Sequence, residues 1–321
     1  MKVGVIGAGS FGTAIAQIIA ENIDEVVLYS RREKIAKNIN NYSYNFDYYP
    51  NTKLNKNIKG TTSYNDLIDC KVIFISVPSS VFRETIIAMK EANINNSIIV
   101  TASKGIESNS LATMGKIIEE NYDDSYVVIS GPNFASEIIL NLATATNIAS
   151  KSKENLKTVK NILETESFKV KTIDDVVGLE YCGVIKNINA IAFGICEGMK
   201  INENGRYSVL TKGFNETKEI IQKIGGKQST LDNFCGFGDL ILTSISKESR
   251  NHTLGLLYGQ KLIIDEKSSG VVFEGKNSIM AIKTICDKNN IQSEVVNFVY
   301  DVLVNQKPPK LAFKCLWDNI V

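Results

Sequence analysis

Lys2-Val-Gly-Val-Ile-Gly-Ala-Gly-Ser-Phe-Gly-Thr-Ala-Ile-Ala16 decides how the chain folds. Val3, Val5 and Ile6 make a short apolar run suited to a buried strand. Gly7-Ala-Gly-Ser-Phe-Gly12 fits G-x-G-x-x-G, and Thr13 to Glu21 continues with helical Ala and Ile spacing. Strand, tight turn and helix start follow in the order a dinucleotide needs. Gly7 permits the turn, Gly9 lets backbone amides approach a pyrophosphate, and Gly12 lets the helix pack on the strand. A secretory leader is the rival reading, since the apolar residues after Lys2 run on to Ala14-Ile-Ala16. A single lysine is a poor positive region, however, and three glycines break the apolar segment.

Composition narrows the remaining classes. A chain of 321 residues can bury two ordinary cores, and its 36 basic and 35 acidic residues nearly cancel without forming a basic block. Nucleic acid is therefore not an expected partner. The longest apolar runs are strand-sized, such as Val72 to Val77, so no membrane span is expected. Six scattered cysteines with no C-x-x-C pair, and one histidine, argue against a metal site and for free thiols in a reducing cytosol. A cytoplasmic location is the matching expectation.

Val26-Val-Leu-Tyr29 reads as the second strand. Where an NAD site carries its ribose-binding acid, the chain has Ser30-Arg31-Arg32. Guanidinium groups pair with phosphate, which favours a 2'-phosphate and NADP(H), with NAD(H) possible; the alternative is two solvated surface arginines. Residues 38–57, rich in Asn and Tyr with Pro50, read as an irregular excursion that either covers the adenosine or is a plain surface loop. Further apolar strands are expected over 71–77, 97–101, 126–130, 144–149 and 168–172, spaced to admit helices. Such alternation means a parallel sheet covered on both faces, with ligands outside the carboxyl ends of the strands. The loops 77–80, 102–105 and 130–134 should thus face the cofactor. After residue 174 strand-like runs nearly vanish. Helices are expected over 176–196, 208–224, 239–244, 254–260, 277–288, 293–304 and 310–320. The expected architecture is α/β, with a doubly wound Rossmann-type sheet domain over 1–174 and an all-α substrate and catalytic domain over 175–321.

Hydride chemistry needs a group that moves a proton, usually histidine, and here the one histidine is His252. Between Tyr181 and Cys196 the only charge is Lys186. A lysine in so apolar a helix either snorkels to the surface or sits in a dry cleft where desolvation lowers its pKa. Asn187 and Asn189 beside it are costly to bury without partners. A second cluster is Cys235-Gly-Phe-Gly-Asp-Leu-Ile-Leu-Thr243, followed by Ser249-Arg-Asn251. Asp239 is either a helix cap or a functional acid, and Arg250 either a phosphate fork or part of a surface loop.

These stretches, taken with Val77-Pro-Ser79, Ser103-Lys-Gly105, Ser130-Gly-Pro-Asn-Phe-Ala135, Val184-Ile-Lys-Asn-Ile-Asn-Ala-Ile191 and Val272-Phe-Glu-Gly275, resemble the NAD(P)-dependent glycerol-3-phosphate dehydrogenases of the soluble bacterial type. The resemblance runs in motif order from the first strand to about Glu274. It implies that Lys186 moves the proton on the C2 oxygen, with Asp239 fixing it and Lys104 touching substrate and nicotinamide. Gly131, Asn133, Asn187 and Thr243 fall on its substrate side, and Ser249, Arg250 and Asn251 would bind the substrate phosphate. Ser10, Phe11, Arg31, Arg32, Tyr48, Ala135, Arg250, Val272 and Glu274 match its cofactor positions. The resemblance also implies a homodimer and a supply of glycerol phosphate to phospholipid synthesis. It places the active site in the cleft between the domains.

The chain departs from that pattern at Asn133, where members often carry Ser or Thr. It departs again at Lys212, at His252-Thr253 and at an extra Phe273. The remaining rivals are a 6-phosphogluconate or 3-hydroxyacyl-CoA dehydrogenase of the same architecture, and a non-catalytic nucleotide sensor. Lys186, Asp239 and the Ser249 to Asn251 trio argue against them.

Overall fold

The computed structural model describes residues 1–122, 125–262 and 274–321, with the backbone alone at 274, 276 and 277. The chain divides into two compact units, Met1–Ser103 with Thr113–Val176, and Lys104–Ala112 with Val177–Val321. Segment 104–112, expected within the sheet domain, thus belongs with the helices.

In the first unit the strands are β1 (Lys2–Ile6), β2 (Glu25–Tyr29), β3 (Ile58–Thr61), β4 (Val72–Ile75), β5 (Ile98–Thr101), β6 (Val127–Ser130), β7 (Thr144–Ala149) and β8 (Phe168–Ile173). They form one sheet in the order β3-β2-β1-β4-β5-β6-β7-β8. Beginning at β1, the order runs outward in both directions, which places the loop after β1 at the reversal. β4 is buried at every residue, as its unbroken Val-Ile-Phe-Ile run requires. Helices α1 (Ser10–Asn22), α2 (Glu33–Tyr42), α3 (Phe82–Glu91), α4 (Met114–Glu119), α5 (Ala135–Ile138) and α6 (Lys153–Leu163) complete the unit. Its core joins Val3, Val5, Ile15, Ile18, Leu28, Phe74, Val127, Ile148 and Phe168.

Three expectations need correction here. The sheet is not wholly parallel, because β6 and β7 pair antiparallel with Ile129 opposite Ile148. Apolar runs report burial on both faces, and strand direction leaves no mark in them. Residues 38–42 are regular, closing α2 at Ser43 with φ 59. Strand β3 was not anticipated; only Ile58 of its Ile-Lys-Gly-Thr is buried, and pairing with β2 defines it.

The second unit contains α7 (Val176–Gly198, whose first residue closes the first unit), α8 (Glu203–Lys223), α9 (Asp239–Ile245), α10 (Arg250–Gly259), α11 (Glu274–Lys288), α12 (Glu294–Leu303) and α13 (Pro309–Asp318). Several start earlier than their apolar spacing shows, because their opening turns are polar. Glu203 to Tyr207 precede the apolar part of α8, and Ser249 caps α10 by accepting from the His252 amide at 3.2 Å. Helix α7 is long and apolar enough to cross a membrane, contrary to expectation. Yet 83% of its most apolar window is buried inside the protein, which makes it a core helix. Ile185, Ile188, Ile191 and Ile195 of α7 meet Val209, Leu254, Ile282, Val299 and Leu316 in the core of this unit. The start of α12 is closed by a buried carboxylate: Glu216 accepts from Ser293 Oγ at 2.6 Å and from the amides of Glu294 and Val295 at 3.0 Å.

Candidate active site

The turn after β1 has the form that its three glycines require. Gly7 adopts φ +109, where a Cβ would also lie 2.4 Å from Ser76 O, so both the conformation and the space demand glycine. At Gly12 a Cβ would lie 1.9 Å from Gly7 O, which lets α1 close on the turn. Gly9 differs, with nothing within 4 Å of the position a Cβ would take. It is also the N-cap of α1 and offers no side chain to the first-turn amides. Open space over uncapped amides at a helix N-terminus fits a diphosphate. Ser10 and Phe11 open that helix, which starts three residues ahead of the helical spacing expected from Thr13.

Residues 43–57 are fastened to this turn. Asn45 is fully buried and donates from Nδ2 to Ala8 O at 3.1 Å and Thr13 Oγ1 at 2.9 Å, while Tyr49 donates to Ser10 O at 3.0 Å. Burial raises the Tyr49 phenol to about 12, so it remains a donor. Between these anchors Asp47 and Tyr48 meet Arg32. The guanidinium donates to Asp47 Oδ2 at 2.8 Å and to Tyr48 Oη at 3.1 Å, lying 5.5 Å over the Tyr48 ring. Lys34 donates to the other Asp47 oxygen at 3.1 Å. Arg31 is exposed and makes no ion pair with a described residue.

The second unit holds the buried polar cluster. Lys186 is 8% exposed, so it does not snorkel. Its ammonium donates to Asp239 Oδ1 and, at 3.0 Å, to Thr243 Oγ1. Thr243 Oγ1 in turn donates to Asp239 Oδ1 at 3.1 Å, one helical turn along α9. The other Asp239 oxygen accepts from Lys104 Nζ at 3.1 Å. Asp239 is therefore no cap; a π-helical turn, Phe234–Gly238, precedes it, and its carboxylate serves the lysines. Burial alone would raise that carboxyl, but Lys104 and Lys186 outweigh burial and hold it below the usual range. Burial pulls the Lys186 ammonium down to about 8; Asp239 opposes the fall and Lys104 adds to it. With both lysines protonated the cluster carries one net positive charge, which suits an anionic substrate. Asn187 is buried beside Lys186 on α7.

The other sequence-derived positions fall as follows. In the first unit Gly131 is pressed against β7, where a Cβ would meet Thr146 Oγ1 at 2.9 Å. Asn133 donates to that hydroxyl at 2.9 Å, and its Oδ1 is buried without a partner among the described residues. Ala135 opens α5. In the second unit Ser249 is spent on capping α10, Arg250 is exposed at its first turn, and Asn251 Oδ1 accepts from the Gly275 amide at 3.2 Å. Val272 lies outside the described residues, and Glu274 is described only as the first residue of α11.

Sequence reasoning missed two groups. One is Asp47 with its anchors Asn45 and Tyr49; an acid inside a Tyr-rich loop was the available sign. The other is Glu197, which sits 3.2 Å from His252 Nε2 and 3.0 Å from Arg206, itself 5.5 Å over the Phe193 ring. His252 Nδ1 is buried with no partner among the described residues. No local sequence pattern joins those positions.

Comparison with known proteins bears on this geometry. Residues 2–156 match the family described as NAD-dependent glycerol-3-phosphate dehydrogenase N-terminus, and residues 175–314 match the corresponding C-terminus. A glycerol-3-phosphate dehydrogenase [NAD(P)+] of Methanothermobacter thermautotrophicus is 36% identical, over 100% of this chain and 98% of its own. One from Bacillus mycoides is 33% identical over 99% and 96%. The crystal structure of glycerol-3-phosphate dehydrogenase from Coxiella burnetii superposes with a TM-score of 0.92 at 31% identity, over 99% of this chain and 98% of that one.

Proposed function

The chain belongs to the NAD-dependent glycerol-3-phosphate dehydrogenase family, and we propose that its reaction turns on Lys186 as general acid and base at the substrate C2 oxygen. It is an oxidoreductase that interconverts dihydroxyacetone phosphate and sn-glycerol 3-phosphate with NAD(P)(H). The observation that carries the proposal is the buried Lys186–Asp239–Lys104–Thr243 cluster.

The first unit serves as the dinucleotide-binding domain. Gly7, Gly9, Ser10, Phe11 and Gly12 hold the diphosphate, Arg31, Arg32 and Tyr48 flank the adenosine ribose, and Ala135 lies on the nicotinamide side. When bound, the nicotinamide supplies or accepts the hydride at C2. Lys186 gives its proton to the oxygen as alkoxide charge develops there, and takes it back in the reverse direction. Asp239 Oδ1 and Thr243 Oγ1 leave the ammonium little freedom, which fixes the line along which the proton moves. Lys104 keeps the Asp239 carboxylate paired while Lys186 is neutral, and it offers a second positive charge to the substrate. Gly131 and Asn133 are the substrate contacts proposed for the first unit, the latter through an Oδ1 that has no partner among the described residues. Arg250 and Asn251, at the start of α10, meet the substrate phosphate with the helix dipole behind them. Ser249 acts through the cap that shapes that turn. We further propose a cytoplasmic homodimer feeding glycerophospholipid synthesis. The family resemblance supports all three points, and light scattering tests the dimer.

Lys186→Ala separates a reaction from a structural role. Asp239 keeps Lys104 as its partner in this variant, so no buried carboxylate is left alone and the fold should survive. Loss of nicotinamide absorbance with dihydroxyacetone phosphate should slow by at least about a hundredfold, with cofactor affinity within about threefold of wild type. Equal loss of both would make Lys186 structural. Faster turnover by the wild type on 6-phosphogluconate or a 3-hydroxyacyl-CoA would overturn the substrate assignment.

A further inference from the structure

The ribose end of the cofactor site contains an acid after all, delivered from an unexpected place. Strand β2 ends at Tyr29 and is followed by Ser30 and two arginines, where sites that favour NAD place a carboxylate against the ribose hydroxyls. That absence points to NADP(H). Yet Asp47 sits 2.8 Å from the Arg32 guanidinium and 3.1 Å from the Lys34 ammonium, one carboxylate oxygen on each. Its placement is not left to a loose loop. Two residues before it, Asn45 is bound to the glycine turn by both of its Nδ2 bonds, and two residues after it Tyr49 is bound to Ser10 O. The Tyr48 and Tyr49 amides both donate to Asn45 O, at 3.1 and 2.7 Å, folding 45–49 into a compact turn. The Asp47 side chain is 20% exposed, against 53% for Arg32, so the acid is the better held of the two.

We propose that Asp47 is a specificity-determining residue that keeps NAD(H) usable in a site otherwise built for NADP(H). This rests on the reading that Arg32 flanks the adenosine ribose. A 2'-phosphate arriving there meets a guanidinium with one N–H committed to Asp47 and one to Tyr48, its charge partly offset by a neighbouring carboxylate that repels the phosphate. An unphosphorylated ribose meets no such repulsion and finds in Asp47 an acceptor for its 2'-hydroxyl. Arg31 is left as the cation that draws the phosphate, so neither cofactor is excluded. Asp47 thus narrows the difference between two affinities without creating either.

The test compares wild type, Asp47→Asn and Asp47→Glu by calorimetry with 2',5'-ADP and 5'-AMP, which differ only in the 2'-phosphate. Steady-state kinetics with NADPH and NADH run in parallel. Removing one charge from a half-exposed cluster should tighten 2',5'-ADP about five- to tenfold at low salt, an effect that shrinks as ionic strength rises. Binding of 5'-AMP should stay the same or weaken, the NADPH to NADH ratio of kcat/KM should rise with the 2',5'-ADP ratio, and Asp47→Glu should return both toward wild type. An unchanged ratio would make Asp47 a bystander. Equal weakening of both ligands by Asp47→Asn would make it a clasp for the loop. Either result overturns the proposal while leaving the cofactor site standing. Wild type that binds neither fragment would remove the cofactor-site reading, and this proposal with it.

Discussion

Lys186 has one consequence that titration can expose. Burial brings its ammonium down to about 8, inside the range where both protonation states are accessible. With Lys186 as the proposed general acid, reduction of the ketone needs its protonated form, so kcat/KM should hold below that value and fall about tenfold per pH unit above it. Oxidation of the alcohol needs the neutral amine and should rise through the same value before levelling. Asp239 opposes the effect of burial on Lys186, so Asp239→Asn should move the reductive limb to lower pH as well as slow turnover. Flat profiles in both directions between about pH 6 and about pH 10 would mean that another group, or water, moves the proton. Lys186 itself was legible in the sequence, because a lone charge in an apolar helix must have a partner or reach water. Its partner was less legible. Asp239 read equally well as a helix cap, since the lysines that claim it are separated from it by long stretches of chain. Asp47 was not legible, because the value of that acid depends on where Asn45 and Tyr49 fasten the turn.

At the level of elements, the turn from β1 into α1 lets the needs of the fold be separated from those of the ligand. Gly12→Ala drives a methyl group into Gly7 O, a backbone atom that cannot swing away. It should cost about 1–3 kcal/mol of stability in denaturant titrations, with cofactor binding lost as a consequence. Gly9→Ala meets nothing within 4 Å, and its φ of −80 suits any residue. Stability should fall by less than about 1 kcal/mol, the scale of losing a favourable N-cap. The methyl group nevertheless occupies the space assigned to the diphosphate, so affinity for NADP+ should drop by at least about tenfold. If Gly9→Ala bound normally, the diphosphate would lie elsewhere. This turn was the most legible element because its spacing and its flanking apolar runs agree. Strand β3 was invisible for the opposite reason, with one buried side chain and no period to read. The antiparallel β6–β7 pair escaped notice because burial on both faces produces the same apolar run in either direction.

Over the whole chain, the residues assigned to the diphosphate and the adenosine ribose fall in one unit and those assigned to proton transfer in the other. The glycine turn, Arg31, Arg32, Asp47 and Tyr48 belong to the unit of Met1–Ser103 and Thr113–Val176. Lys186, Asp239 and Thr243 belong to the other, and so does Lys104, carried there by the short excursion Lys104–Ala112. The shift from strand-like to helix-like texture near residue 174 made the two-part plan legible. The excursion was not, because nine residues within a sheet domain carry no period that tells which core Ile106 will enter. A fragment ending at Val176 should therefore retain its own core, from Val3 to Val170, while the excursion Lys104–Ala112 loses the core it joins. It should bind 2',5'-ADP within about tenfold of the full chain, since none of the contacts proposed for the adenosine and diphosphate lies beyond its end. It should leave NADPH unoxidised at every concentration of dihydroxyacetone phosphate, lacking the lysine proposed to protonate the C2 oxygen and the carboxylate proposed to position it. Calorimetry and nicotinamide absorbance on the one sample decide the matter. A fragment that folds, by its circular dichroism, but fails to bind would mean that nucleotide affinity needs residues of the helical unit, such as Arg250. A fragment that turns over would remove Lys186 from the mechanism.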